Sequence, residues 1–277
     1  MLVSELTDKF PSYCCRHRTA ATLAFYRARL KKFCREFNAR ELGSLTPLEI
    51  DEHLAATGAG MSDSTRHHDI MALQRLQKFA LDFNLLDKPV IGKLEKPRVG
   101  QRSRVPSASE TEAILAKASA PFRLIYAALR QCGARPGELC RAKIADVDRA
   151  NRVITLKDHK TGRKTGQPRR IPIGRKLGEL LDQAIGARTE GPVFLSPAGK
   201  AWRVPNLSRT YSRLRNDAGL PRELVLYLAR HECGTKICRE KGIEFARRLL
   251  GHANISTTQR YMHLDDRELA DAQDLVE

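Results

Sequence analysis

The sequence predicts a mainly α-helical protein with a small antiparallel β-sheet, divided into two domains by a basic linker. Three observations carry this. Apolar residues recur at three- and four-residue steps through much of the first 95 positions, and an aperiodic stretch with Pro, Gly and Ser follows. Beyond it, only Val153-Ile154-Thr155-Leu156 and Arg170-Ile171-Pro172-Ile173 read as strands.

From Thr19 the pattern turns helical, with Leu23, Tyr26, Leu30, Phe33 and Phe37 on one side and Arg27, Arg29, Lys31, Lys32 and Arg35 on the other. A second helix opens at Thr46-Pro47-Leu48-Glu49, where Thr46 caps, Pro47 is the first helical residue and Glu49 is the return partner of a capping box. A third runs from about Ser64 to Phe83. Its inward positions are Ile70, Leu73, Leu76, Ala80 and Phe83, while Arg66, His67, His68, Arg75 and Lys78 face largely outward. The paired histidines are expected to be exposed or near phosphate rather than to hold a metal. Residues 1–95 thus form a bundle of roughly four short helices with basic faces. Residues 96–107 are the basic linker, and Ser107 or Ser109 caps the helix that follows.

Residues 108–130 read as two helices, with Gly133 ending the second. Arg135 lies between Gly133 and the helix-starting Pro136, and Glu138 is placed to accept from the arginine or from the helix start. The segment Lys157 to Arg169 between the strands is too long for a tight hairpin, and predicts a mobile basic finger. There Lys157, Lys160, Arg163, Lys164, Arg169 and Arg170 are all candidates to touch phosphate. A turn at Ser196-Pro197-Ala198-Gly199 precedes a basic helix, Asn206 to Ala218, whose Arg209, Arg213 and Arg215 suit a DNA groove or backbone. The next helix is expected from about Glu223, presenting Tyr227, Arg230 and His231 on one face. A short helix, Glu244 to Leu250, ends at Gly251-His252. The Ser256-Thr257-Thr258 run then caps a new helix carrying Tyr261, nine residues after the histidine.

A chain of 277 residues has ample length for a core, and its formal net charge of +17 with only 6% aromatic residues favours an electrostatically bound polyanion. Nucleic acid is the favoured partner, with no small-molecule substrate expected. No apolar run reaches the length of a membrane span and no signal segment opens the chain, so a cytoplasmic protein is expected. Seven cysteines without C-x-x-C spacing read as reduced, mostly buried thiols, so neither metal nor cofactor is expected. The tail from Leu264 to Glu277 holds six carboxylates against one arginine, and Leu269, Ala272 and Leu275/Val276 give it helical, amphipathic spacing.

Two arginines, a lysine, a histidine and a tyrosine suit attack on a phosphodiester whose charge is held by guanidinium forks. In order and spacing, Gly133-Ala134-Arg135-Pro136-Gly137-Glu138-Leu139, His159-Lys160-Thr161-Gly162, Tyr227-Leu228-Ala229-Arg230-His231 and Leu249-Leu250-Gly251-His252 through Tyr261 resemble the tyrosine recombinase (phage integrase) family, over roughly residues 5–265. The resemblance implies a helical core-binding domain at 1–95 that covers one face of DNA, and a mixed α/β catalytic domain at 108–277 whose acidic tail helix packs on a neighbouring protomer. It implies Tyr261 as the nucleophile that forms a 3′-phosphotyrosyl bond, Arg135 and Arg230 as phosphate binders, and His252 as a donor to the phosphate. Lys160 is the acid for the leaving 5′-oxygen, with Lys164 as its rival, and His231 is structural. One departure stands out: Tyr227 occupies the place of the family's usual histidine. A phenol donates a hydrogen bond but shuttles protons poorly near neutral pH.

The resemblance implies site-specific strand exchange by a tetramer on two sites, without ATP or metal. With no segment ahead of the first bundle to form an arm-binding domain, a simple recombination site is expected. The alternatives are a type IB topoisomerase, which the acidic tail disfavours, and a DNA-binding relic, motivated by Tyr227.

Overall fold

The computed structural model describes residues 1–92, 94–100, 104–157, 166–262 and 273. Lys160, its rival Lys164, and the tail positions Leu269, Ala272, Leu275 and Val276 lie outside the described residues. The chain separates into two compact units, Met1–Gln101 and Arg102–Glu277.

In the first unit, helices α1 (Val3–His17), α2 (Ala20–Phe37), α3 (Pro47–Gly58) and α4 (Asp63–Asp82) enclose Leu6, Phe10, Phe33, Ile50 and Leu76. The helix starts follow from their caps. Thr46 Oγ1 accepts from the Glu49 amide at 3.2 Å while Glu49 Oε2 accepts from the Thr46 amide at 2.8 Å, so two otherwise unpaired donors are satisfied reciprocally. Phe83 departs from its expected inward position. It caps the end of α4 rather than lying within it, and is 51% exposed with its edge to Tyr13. His67 and His68 are partly buried rather than exposed, the first bonded to the Pro97 carbonyl and the second edge-on to Phe25.

The second unit begins with α5 (Ala108–Ala116), capped by Ser107 and Glu110, and α6 (Ala120–Cys132), closed by Gly133 in the left-handed conformation. After α7 (Pro136–Arg141) comes a three-stranded antiparallel sheet in the order β1 (Val147–Asp148), β2 (Val153–Leu156), β3 (Arg169–Pro172). Ile154 pairs with Ile171, and both are fully buried. Helices α8 (Arg175–Ile185), α9 (Val204–Asp217), α10 (Leu228–Lys241) and α11 (Ile243–Leu250) complete the unit, around a core that includes Phe122, Leu129, Leu181, Phe194 and Leu207. The mainly helical fold with a small antiparallel sheet is the one expected. Among the described residues no helix is long and apolar enough to cross a membrane. None of the seven cysteines is paired, and five are buried.

Three local expectations are corrected. Tyr227 precedes α10 instead of lying inside a helix from Glu223, so its side chain, 39% exposed, is set by a turn. Arg215 is buried rather than free for DNA, its guanidinium donating to the Arg222 and Leu224 carbonyls at 3.0 Å each. Arg169 is likewise withdrawn from the finger's surface, because strand alternation sends it to the side of buried Ile171.

Candidate active site

Arg230, His252 and Tyr261 converge where α10, the end of α11 and two 3₁₀ turns meet. The turns, Ile255–Thr257 and Gln259–Tyr261, replace the single helix expected after His252. Arg230 is only 1% exposed. A buried guanidinium must be saturated with acceptors, and most of this one is. Nη1 donates to the Gly133 carbonyl at 2.6 Å, and Nη2 to the Leu250 carbonyl at 2.7 Å and to His252 Nε2 at 2.9 Å. Its Nε is buried without a hydrogen-bond acceptor among the described residues. The Nε–H of a fixed cation is thus left without a partner at the centre of the cluster.

The neighbours of His252 assign its tautomer. Arg230 is purely a donor, so Nε2 accepts; Nδ1–H therefore donates to Thr258 Oγ1 at 2.9 Å. Burial, and then the charges of Arg230, Arg135, Arg260 and Arg169, lower its pKa to about 4, so the ring is neutral at physiological pH. A histidine that titrates at 6.5 unfolded and about 4 folded leaves the unfolded chain holding more protons between those values. Stability is therefore full above pH 6.5 and falls toward pH 4, with up to about 3 kcal/mol at stake. Urea unfolding across this window should show a steeper loss for the wild type than for His252→Gln; parallel curves would contradict the assignment.

The Tyr261 ring stacks on His252, with centroids 6.0 Å apart and planes at 8°, and lies 5.2 Å from the His231 ring. The residue is 3% exposed, and burial pushes its phenol pKa up while the Arg230 charge pulls it down. Close approach of α10 depends on Gly234. A Cβ there would sit 3.0 Å from both Tyr261 Cε1 and Leu250 Cδ1, two side chains with no room to move. Gly234→Ala should therefore lose about 1–3 kcal/mol to overpacking rather than gain the ~1 kcal/mol expected of alanine in a helix. Denaturant midpoints decide the sign.

Arg135 caps α7 immediately before Pro136. Glu138 accepts from both its amide and its Nη1 at 2.9 Å, meeting both expectations of that carboxylate. Although burial acts to raise it, the Arg135 amide and the charges of Arg169 and Arg135 hold the Glu138 carboxyl below its ordinary range. Arg169, whose Nε lies 3.7 Å from Glu138 Oε2, also donates to the Leu249 carbonyl at 2.5 Å. It thereby joins β3 to the turn that carries His252. Gly251 makes this possible: its φ is +65°, and a Cβ would meet the Arg169 guanidinium at 2.9 Å. Arg169 was expected only to touch phosphate, and Thr258 was expected only near a cap; both instead hold the site together. Tyr227 stands at the rim, its ring 5.5 Å from that of His231.

The cluster can thus hold an anion on guanidinium donors beside a phenol. The model of the Phage integrase family matches residues 104–268 of this chain. The tyrosine recombinase XerC of Chromohalobacter salexigens is 25% identical, over 93% of this chain and 90% of its own length. A lambda integrase dimer bound to a COC' core site shares the fold with a TM-score of 0.80 and 20% identity, covering 96% of each chain. A lambda integrase tetramer bound to a Holliday junction gives 0.79 and 18%, covering 96% of this chain and 80% of that one.

Proposed function

The chain belongs to the phage integrase family and is a site-specific tyrosine recombinase, an enzyme that cleaves and rejoins DNA, and from that premise we propose which of its residues perform each step. The Tyr261 phenol loses its proton to solvent and its oxygen attacks phosphorus in line. A tyrosyl O–P bond forms at the 3′ side, the P–O5′ bond breaks, and the 5′-oxygen leaves with a proton supplied by Lys160. Arg135 and Arg230 neutralise the non-bridging oxygens. Religation to a 5′-hydroxyl of another strand reverses the step and needs no external energy source, because the phosphodiester energy is kept in the covalent link.

The single observation that carries this reading is the buried, acceptor-less Nε of Arg230 beside Tyr261 and His252. A phosphate oxygen supplies the missing acceptor. Burial and then the arginine charges hold the His252 pKa down, and the phosphate's negative charge opposes the second of these, which favours the protonated imidazole that donates to phosphate. Tyr227 adds a phenolic donor from the rim.

Residues 1–95 serve as the DNA-clamping partner domain, 96–107 as the linker and 108–277 as the catalytic domain. The enzyme works on double-stranded DNA in the cytoplasm as a tetramer on two sites. The lambda integrase tetramer on a Holliday junction, which has the same fold, supports that assembly.

The test is a suicide substrate, nicked so that the cleaved fragment diffuses away, built from DNA beside the gene. The wild type should give an adduct stable to detergent, and the modified peptide should contain Tyr261. Bound DNA without an adduct would remove the reading. Tyr227→Phe should slow adduct formation by about 10²-fold, the scale for one lost transition-state donor, without abolishing it.

A further inference from the structure

Neither Arg130 nor Glu232 belongs to any of the sequence boxes, yet together they make a bidentate side-chain ion pair near the site that joins two helices. Arg130 is in the last turn of α6, three residues before Gly133 and five before Arg135. Glu232 is in the first turns of α10, two residues after Arg230. Arg130 Nε donates to Glu232 Oε2 at 2.7 Å and Nη2 donates to Oε1, so the fork is bidentate across 102 positions of sequence. The pair is half-buried, with side chains 31% and 23% exposed.

A bidentate fork fixes orientation as well as distance, because two parallel bonds forbid rotation of one helix about the contact. The same two helix ends are also joined by Arg230 Nη1 to the Gly133 carbonyl and by Cys233 Sγ to the Gln131 carbonyl at 3.7 Å. The first of these uses a phosphate-binding side chain, and the second is a weak thiol contact. Arg130–Glu232 is the strong link among these that commits no phosphate-binding group. Its hydrogen bond with Glu232 raises the Arg130 guanidinium above its usual range, against partial desolvation.

We infer that Arg130 and Glu232 are positioning residues whose bidentate ion pair sets the spacing and tilt between Arg135 and Arg230. The inference rests on the reading of those two arginines as the scissile-phosphate binders. Breaking the pair lets the end of α6 and the start of α10 shift, so that the guanidinium donors no longer meet both non-bridging oxygens at once. Misplacement on the ångström scale costs up to about 10²-fold in rate.

The experiment measures single-turnover cleavage of saturating suicide substrate, well below each variant's melting temperature, alongside DNA affinity. Glu232→Gln and Arg130→Met should each cleave about 10- to 100-fold more slowly with affinity unchanged. The charge swap Arg130→Glu with Glu232→Arg should recover most of the rate, and it keeps the test decisive if a single variant does not fold. A second readout uses a methylphosphonate at the scissile position, which deletes one non-bridging charge. Its penalty should be smaller in Glu232→Gln than in the wild type, because the arginines already miss that oxygen.

Unchanged cleavage by the folded single variants, with only a lower melting temperature, would overturn the inference and leave the pair structural. Arg135→Ala serves as the control for the underlying reading. If it cleaves normally, the assignment of the phosphate binders is wrong; if it fails while Glu232→Gln cleaves normally, only the positioning role is wrong.

Discussion

Tyr261→Phe is expected to bind DNA as tightly as the wild type and to form no covalent adduct at all. The substitution deletes one oxygen and leaves the ring where it is, stacked on His252 and packed against α10 at Gly234. The fold should shift by no more than about 1 kcal/mol, the scale of a single hydrogen bond. The chemistry has no such tolerance. On the proposed reading the protein–DNA link is itself the bond from that oxygen to phosphorus, and among the described neighbours His231 and His252 present ring nitrogens, the Thr258 hydroxyl is bonded to His252, and Tyr227 stands at the rim. Gel shift for binding and detergent-resistant adducts for chemistry separate the two effects. An adduct persisting in Tyr261→Phe would move the nucleophile elsewhere and dissolve the reading of the site.

The contrast between what was and was not legible in the sequence follows from the range over which each signal acts. Thr46 with Glu49, Gly133 and Pro136 mark helix ends through contacts three or four residues apart, so those ends could be located in advance, and the cap left open between Ser107 and Ser109 is Ser107, boxed with Glu110. The roles of Arg135 with Glu138 are equally local. Arg169 was not legible as a binding partner of the Leu249 carbonyl, because that contact spans 80 positions. Its burial, however, was. In a strand, positions 169 and 171 share a face, and apolar Ile171 shows that this face is inward. Arg215 is a similar case, since it follows Leu207 and Tyr211 at four-residue steps along α9 and so falls on the buried stripe. In both, a charged side chain was assigned to solvent on residue type when periodicity placed it inside.

The turns around Tyr261 failed for another reason. Ser256, Thr257 and Thr258 carry the signature of a helix cap, but Thr258 spends its hydroxyl on His252 Nδ1 and is fully buried. A side chain consumed by a tertiary contact no longer supports the local helix, and two 3₁₀ turns result. Thus the departure from regular structure occurs at the residue that fixes the histidine and delivers the tyrosine.

Arg230→Ala should combine the second-largest loss of activity with a large loss of stability, for the same physical reason. The side chain is a buried cation whose donors satisfy two backbone carbonyls, those of Gly133 and Leu250. Removing it leaves both acceptors dry and unpaired beside a cavity, at a cost of about 2–5 kcal/mol. On the proposed reading it also removes donors to the transition-state phosphate, which should lower cleavage by at least about 10²–10³-fold. The two losses can be told apart with Arg230→Lys. An ammonium keeps the charge and recovers part of the stability, but it cannot span two carbonyls and a phosphate as a planar fork does, so cleavage should stay low. His252 reports independently. Once the Arg230 charge is gone from the causes that hold its pKa near 4, the imidazole should titrate closer to 6.5 in the alanine variant and remain depressed in the lysine variant, as read by NMR of the ring protons. A folded alanine variant that cleaves at the wild-type rate would leave Arg230 as a structural arginine. A variant that loses cleavage and shifts His252 together places phosphate, imidazole and guanidinium on one electrostatic circuit.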